Sequence, residues 1–257
     1  MDVKFIIGHE NEISNLRLAI KNKTISHSYI FEGQEGLGKK TIALEFAKTL
    51  LCREKGEVPC NKCSSCYKFK QANHPDFKII EPDKGLIKKS QVDDLIKENT
   101  TMPFEGEKKV FIIDDSHLMN RESENALLKT LEEPSDYMHI ILVTSQKNSH
   151  LPTIISRCQV INFYSIARDE MVESLIDVDG LDENKAEFLW NFTKGAYGKA
   201  KNIVADEEFF QMRDEVISLI DSILRKKALV FSTLGFFEEN KENMDDILDI
   251  FTYWFRD

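Results

Sequence analysis

The chain has 257 residues, enough for one large domain or two to three small ones, and its 42% hydrophobic and 30% charged composition excludes a disordered, collagen-like or disulfide-scaffold protein. The net charge of −10 argues against a protein that wraps nucleic acid through its overall field, although a local basic patch is still allowed. No apolar run approaches the roughly 20 residues of a membrane span, and no basic and apolar leader begins the chain, so we expect a cytoplasmic protein without membrane contact.

Strand-like and helix-like patterns alternate over the first 165 residues, which predicts a parallel sheet covered by helices. The strands are short β-branched or aromatic runs, and amphipathic helices lie between them. The predicted strands are 29–31, 77–80, 110–113, 140–144 and 160–163. The predicted helices are 12–21, 39–52, 90–99 and 121–132. From residue 167 onward only helices are predicted, beginning with 169–176 and 184–192.

A glycine-rich loop follows the first predicted strand and opens a predicted helix. Its glycines, which let backbone N–H groups turn toward an anion, are Gly33, Gly36 and Gly38. Lys39 would reach the phosphates of a nucleotide. The next residue of such a loop is Ser or Thr, whose hydroxyl holds Mg²⁺. Lys40 stands there instead, and an ammonium group has no acceptor and repels a metal ion. Thr41 follows, so a phosphate contact could survive without the metal contact.

Four of the five cysteines lie within fifteen residues, in the spacing C-x7-C-x2-C-x2-C. They are Cys52, Cys60, Cys63 and Cys66. A C-x2-C step lets two thiolates converge on one ion, and four thiolates complete a tetrahedral shell, so we expect a structural Zn²⁺ knuckle over residues 52–66. Free or redox-active thiols and an iron–sulfur cluster are the alternatives. Cys158 is expected to be a small buried residue.

The third predicted strand ends in two carboxylates, Asp114 and Asp115. In a nucleotide hydrolase the first orients the water shell of Mg²⁺ and the second polarises the attacking water. Asp115 stands where Glu is usual, and a misplacement near 1 Å can cost about 100-fold in rate. Together with the glycine loop, this strand favours a fold derived from nucleotide hydrolases. Lys108 and Lys109 precede the strand and are conceivable DNA contacts, or simply solvated lysines.

Two further stretches carry a resemblance: residues 126–134, reading ALLKTLEEP, and residues 155–158, reading ISRC. With the cysteine knuckle, they resemble the clamp-loader ATPases of the AAA+ class in bacterial DNA polymerase III. Supporting matches are IGHE at 7–10, HSYIFEG at 27–33 and HPD at 74–76. The resemblance implies an AAA+ P-loop domain at 1–165, a helical lid at 166–205 and a helical collar at 206–257, which we expect to be incomplete.

The resemblance also implies roles for single residues. Arg157 corresponds to an arginine finger that reaches a nucleotide bound by a neighbouring subunit; the alternative is a surface salt bridge. Thr144 lies where the family has a phosphate-sensing residue, although Ser145 and Gln146 are equally placed. Lys199 falls where hydrolysing relatives carry a lid arginine, or else it is a solvated helix residue.

Three residues differ from the family pattern at positions that a subunit needs to hydrolyse its own ATP, whereas Arg157, which would act on a neighbouring subunit, matches the pattern. The departures are Lys40, Asp115 and Lys199. This asymmetry favours a stator of the delta-prime kind, with ATP and Mg²⁺ binding weak or absent and no intrinsic ATPase activity, within the polymerase III holoenzyme. The implied partners are the gamma/tau and delta subunits, the sliding clamp and primer-template DNA. The alternatives are a gamma/tau-like hydrolase and a pure assembly scaffold; a free-standing remodeller or nucleotide kinase is disfavoured by Lys40.

The segment 206–257 combines charge and aromatic residues, with thirteen acidic and six basic side chains. Its net charge of −7 is most of that of the chain. Its aromatic residues are Phe209, Phe210, Phe231, Phe236, Phe237, Phe251, Tyr253, Trp254 and Phe255. This pattern suits helices that assemble into an oligomeric collar, and it overlaps with that of an ordinary core with a solvated acidic face.

Overall fold

A sheet of five parallel strands forms the centre of the first part of the chain, with strand order β2-β3-β4-β1-β5. The structure, a computed structural model, describes residues 6–206, 208–225 and 234–255. The strands are β1 (Ser28–Glu32), β2 (Phe77–Ile80), β3 (Lys109–Ile113), β4 (Met138–Thr144) and β5 (Gln159–Asn162). Each lies within two residues of a predicted strand, so the predicted α/β fold with a parallel sheet is confirmed.

Of the three interior strands, β3 and β4 are buried along their whole length. Both are nearly continuous apolar runs, as strands with both faces covered by helices must be. Between consecutive strands the chain crosses over through a helix, which parallel pairing requires. The carboxyl ends of β1, β3 and β4 therefore meet at one edge of the sheet, where ligands bind in open α/β folds.

Among the described residues of the first unit, six α-helices accompany the sheet. They are α1 (Glu10–Lys21), α2 (Lys39–Leu51), α3 (Ser64–Lys70), α4 (Lys89–Asn99), α5 (Arg121–Glu132) and α6 (Pro152–Ile155). Helix α3 was not predicted, because its seven residues are too few to show an apolar period. Helix α2 ends one residue earlier than predicted, since Cys52 adopts an extended backbone conformation that turns its thiol toward the other cysteines.

The chain divides into two compact units, Met1–Ile166 and Ala167–Asp257. The helices of the second unit are α7 (Arg168–Asp177), α8 (Glu183–Thr193), α9 (Tyr197–Ala205), α10 (Phe209–Arg225), α11 (Leu234–Glu239) and α12 (Met244–Trp254). The predicted helical C-terminal region is therefore confirmed, whereas its separation into lid and collar stays a prediction. Among the described helices none is long and apolar enough to cross a membrane.

Aromatic rings of the second unit contact one another rather than forming one exposed stripe. Phe192 contacts both Phe188 and Phe209, at ring-centroid distances of 5.3 and 5.5 Å. Phe255 and Leu248 are exposed. The aromatic residues thus supply a core as well as a partly apolar surface on α12; Phe231 lies outside the described residues.

Candidate functional site

The glycine loop connects β1 to α2 at the carboxyl edge of the sheet. The backbone conformation requires glycine at two positions: Gly38 has φ +80° directly before α2, and a Cβ on Gly33 would lie 2.4 Å from the carbonyl oxygen of Phe163. Gly36 also has φ +80°. The loop therefore has the strand, glycine turn and helix N-terminus that the sequence predicted, which is the local geometry of an anion site.

Lys39 is buried at the base of this loop. Its Nζ donates hydrogen bonds to the carbonyl oxygens of Gly33 and Gln34, at 2.7 and 2.6 Å. Burial lowers the pKa of Lys39, and the negative charge of Asp115 opposes that shift. Thr41 is exposed on the first turn of α2. The ammonium group of Lys39 thus lies against the carbonyl oxygens of the loop, whose N–H groups are the ones that face an anion in a phosphate-binding loop.

Lys40 contacts the acidic strand directly. Its Nζ lies 2.8 Å from Asp114 Oδ2 and 2.5 Å from Glu81 Oε1. Burial alone would lower the pKa of Lys40, but its hydrogen bonds to the two carboxylates outweigh burial and raise it. The carboxylate that would orient a Mg²⁺ water shell is therefore neutralised by an ammonium group of the same chain. Glu81 had no sequence signal, because it follows β2 as a single acidic residue.

Asp115 adopts a left-handed backbone conformation with φ 45° and ψ 45°. Burial, followed by the charge of Asp114, raises the pKa of its carboxyl group. Thr144, at the end of β4, is fully buried, and its Oγ1 accepts a hydrogen bond from the N–H of Gln146 at 3.0 Å. Gly33 N–H donates to the Thr144 carbonyl oxygen at 3.3 Å, so the sheet brings the loop and Thr144 together.

The four clustered cysteines converge in space, with their Sγ atoms all within 4.8 Å of one another. Tetrahedral zinc with Zn–S bonds of about 2.3 Å needs Sγ–Sγ separations of about 3.8 Å, and Cys60 Sγ lies 4.0 Å from Cys66 Sγ. Backbone N–H groups of Cys60, Cys63 and Cys66 donate to the preceding sulfur atoms at 3.3 to 3.4 Å. The donor set and its geometry therefore fit a four-thiolate metal site.

The pKa of one thiol in this cluster is lowered, which favours its thiolate form. Burial raises the pKa of Cys63, but hydrogen bonds from the backbone of Cys66 and Arg53 outweigh it and hold the pKa at about 6. Cys63 also caps helix α3, which places its sulfur atom at the positive end of the helix. Both effects favour the deprotonated sulfur that metal binding requires.

The HPD stretch at 74–76 connects the cysteine knuckle to the sheet. The buried His74 accepts a hydrogen bond at Nδ1 from Asp76 N–H, 3.1 Å away, so Nε2 donates to Ser65 Oγ at 2.9 Å. Ser65 in turn donates to the Leu51 carbonyl oxygen at the end of α2. The Asp76 carboxylate accepts from the N–H groups of Phe104 and Glu105. These bonds fix the knuckle, and sequence reasoning did not identify that role.

Arg157 lies just after α6, with its side chain one-third exposed. One guanidinium nitrogen, Nη2, lies 2.8 Å from Glu132 Oε1, and the other, Nη1, donates to the Thr153 carbonyl oxygen at 2.9 Å. Glu132 is the first glutamate of the LEEP stretch, so the two sequence motifs meet here. Cys158 is partly buried, and burial raises its pKa to about 12.

Two other lysines also have partners. In the second unit, Lys199 Nζ lies 3.4 Å from Asp249 Oδ2 and 5.6 Å from the Phe192 ring centroid. In the first unit, Lys109 is buried, and its Nζ donates to the Glu98 carbonyl oxygen at 2.7 Å. Lys109 is therefore neither a solvated lysine nor a DNA contact, because β3 begins inside the fold.

Comparison with known proteins identifies the family. Residues 8–167 match the family described as DNA polymerase III, delta subunit. The chain is 34% identical over 244 residues to DNA polymerase III subunit delta' of Bacillus subtilis, covering 93% of this chain and 73% of that protein. The chain belongs to the DNA polymerase III clamp-loader family.

Other relatives of this clamp-loader chain are longer. DNA polymerase III subunit tau/gamma of Haemophilus influenzae is 30% identical over 91% of this chain, which spans 33% of that protein. Among solved structures, a point mutant of RuvB from Thermotoga maritima matches with a TM-score of 0.51 at 16% identity, over 84% of this chain and 65% of that one. The likeness to RuvB shows the AAA+ fold alone, in agreement with the expected fold class.

Proposed function

We propose that this clamp-loader subunit is a stator of the delta-prime kind, which completes the ATP site of a neighbouring subunit with Arg157 and hydrolyses little or no ATP itself. The observation that carries the proposal is the ion pair between Lys40 and Asp114. A magnesium-dependent hydrolase needs that carboxylate for the metal shell and needs a hydroxyl where Lys40 stands. In this chain the charges of Lys40 and Asp114 neutralise each other.

The other residues of the chain's own nucleotide site support the same conclusion. Asp115 is one methylene shorter than the usual glutamate, which moves its carboxylate away from the position needed to polarise the attacking water. We assign any residual anion contact to Gly33, Gly36, Gly38, Lys39 and Thr41, with Thr144 beneath them. Lys199 keeps a positive charge but lacks the fork of an arginine, and Asp249 already neutralises part of it.

Arg157 has the properties of a residue that acts on a neighbour. Its guanidinium is at the surface of the first unit, its charge is permanent, and its planar fork suits the oxygens of a γ-phosphate. Arginine fingers contribute about 10³ to 10⁵ to hydrolysis rates in other systems. The neighbour would be a gamma/tau subunit. Through the assembled ring with delta, the chain would act on the sliding clamp and primer-template DNA.

We also propose a structural Zn²⁺ at Cys52, Cys60, Cys63 and Cys66. All four positions of a tetrahedral ion would be filled by sulfur, so no place is left for water or substrate, and the ion would hold the segment between α2 and α3. Residues 166–205 and 206–257 are assigned as lid and collar by resemblance. The second candidate function, a gamma/tau-like hydrolase, is favoured only by the loop glycines and Lys39.

The test is ATP hydrolysis by the purified, zinc-loaded chain, compared with that of a gamma/tau subunit from the same organism. We expect turnover indistinguishable from a Lys39→Ala variant of the chain, which removes the loop ammonium. Turnover near that of gamma/tau, abolished by Lys39→Ala, would refute the stator proposal and support the hydrolase. ATP-dependent association with gamma/tau separates the stator from a pure scaffold, whose association would ignore nucleotide.

A further inference from the structure

A buried polar cluster connects the turn after β3 to the segment that carries Arg157. Its side chains are Ser116, Glu124 and His150, all at most 3% exposed. His150 Nδ1 lies 2.7 Å from Glu124 Oε1, and Nε2 lies 3.1 Å from Ser116 Oγ. Ser116 Oγ donates to the Val143 carbonyl oxygen at 3.0 Å. Neither the family resemblance nor the proposed function explains why three polar side chains are buried here.

The hydrogen bonds define the donors. A serine hydroxyl has one proton, and Ser116 uses it on the Val143 carbonyl, so its oxygen accepts from His150 Nε2–H. Nδ1 of His150 forms the second hydrogen bond, to the Glu124 carboxyl group. Both ring nitrogens are therefore hydrogen-bonded inside the fold. In an interior closed to water, these two bonds fix the ring position.

The segment that follows His150 is short and rigid. Between residues 150 and 157, helix α6 is closed by backbone hydrogen bonds, ending with Arg157 N–H to the Ile154 carbonyl oxygen at 3.0 Å. Ile154 is fully buried in the core. A displacement of His150 would therefore displace Arg157 by a similar distance.

Helix α5 holds this segment at two points. Glu124 binds His150 inside the fold, and Glu132 binds Arg157 at the surface. Eight residues separate the two glutamates, which corresponds to about 12 Å along the helix. The inner contact is buried and costly to break, whereas the outer one is a partly exposed ion pair that a phosphate could replace.

We propose that His150 is a positioning residue for Arg157: its two ring nitrogens are hydrogen-bonded to Glu124 and Ser116, which fixes the arginine segment to α5 and to the turn after β3. This inference rests on the proposed action of Arg157 on a neighbour. The outer contact with Glu132 is the exchangeable one, which leaves the guanidinium free to meet a phosphate while the segment stays in place.

The test replaces both members of the inner contact by apolar residues, in the double variant Glu124→Met/His150→Leu. Removing both partners avoids a buried unpaired charge, so folding is retained better than in either single variant. The variant is assembled with gamma/tau and delta beside wild type, Arg157→Ala, and the control Glu122→Gln on the exposed side of α5. ATP hydrolysis, the KM for ATP, the affinity of assembly and the melting temperature of each chain are measured.

We expect the double variant to assemble normally but to lower kcat by about 10-fold or more with little change in KM, because a misplacement near 1 Å costs up to about 100-fold. Glu122→Gln should behave as wild type. A normal kcat in the double variant, while Arg157→Ala lowers it, overturns the inference alone. A normal kcat in Arg157→Ala overturns the proposed function as well.

A second measurement does not depend on the complex. The ring ¹H and ¹⁵N resonances of His150 in the full chain should show an N–H that exchanges slowly with water, and Glu124→Gln should shift these resonances. A wild-type ring whose N–H exchanges freely with water would overturn the inference even if the double variant failed to fold.

Discussion

Replacing Lys40 by threonine should create magnesium-dependent ATP binding where the natural chain has little. The substitution removes the ammonium group that lies 2.8 Å from Asp114 and supplies the hydroxyl that a phosphate loop uses to hold Mg²⁺. Asp114 then becomes available to the water shell of the ion. The variant therefore restores two magnesium contacts with a single change.

The size of the effect follows from the exposure of Lys40, whose side chain is 43% exposed. In a water-like dielectric, two unit charges 4 Å apart interact by about 1 kcal/mol, so an ammonium group repels a divalent ion by about 2 kcal/mol. Removing that repulsion corresponds to about 30-fold in affinity. The loss of the pair with Asp114, whose side chain is only 12% exposed, also lowers the free energy of unfolding.

The assay is titration of a fluorescent ATP analogue into each variant, with Mg²⁺ and with a chelator. Lys40→Met, which removes the charge without supplying a hydroxyl, is the matched control. We expect the ratio of affinities with and without Mg²⁺ to increase from wild type to Lys40→Met to Lys40→Thr. Equal ratios for Lys40→Thr and wild type would show that the Lys40 contact does not block the metal.

Three further predictions concern other parts of the first unit. The purified chain should carry about one Zn²⁺, measured by metal analysis. Cys63→Ser should lower both the metal content and the melting temperature, because metal binding is coupled to local folding. A metal-free chain with an unchanged melting temperature would contradict the zinc assignment. Burial lowers the pKa of His139 to about 4. The free energy of unfolding should therefore fall by up to roughly 3 kcal/mol as the pH falls from about 6.5 to 4, because the unfolded chain binds the proton more readily. In urea titrations, His139→Gln should flatten that pH dependence. Burial raises the pKa of Cys158 to about 12, so the native zinc-loaded chain should resist alkylation at pH 8, whereas the denatured, metal-free chain should react at all five cysteines.

The sequence was sufficient for the sheet and the glycine loop, since both depend on local patterns. Apolar runs such as β4 read as buried strands, and Gly38 must be a glycine because of its positive φ. Helix α3 was missed because the cysteines at its start, and not an apolar period, determine where it forms. Lys109 was misjudged because local sequence does not reveal that the first residue of β3 is covered by the loop after α4.

Contacts between distant segments lay beyond what the sequence could show. Lys40 was recognised as unable to bind a metal, but its bond to Asp114 depends on the order of the strands, 74 residues apart in the chain. Glu132 and Arg157 belong to two motifs that were each recognised, yet only the packing of α5 and α6 brings them together. The cluster of Ser116, Glu124 and His150 gave no signal, because each residue is ordinary in its local sequence.

The most direct test of the central claim is ATP hydrolysis by the complex with gamma/tau and delta, containing either the wild-type chain or Arg157→Ala. Gamma/tau without the chain and Arg121→Ala, an exposed arginine at the start of α5, serve as controls. We predict that Arg157→Ala assembles like wild type but lowers hydrolysis toward the rate of gamma/tau alone. Hydrolysis by Arg157→Ala equal to that of the wild-type complex would contradict the assignment of Arg157 as the residue that acts on a neighbour.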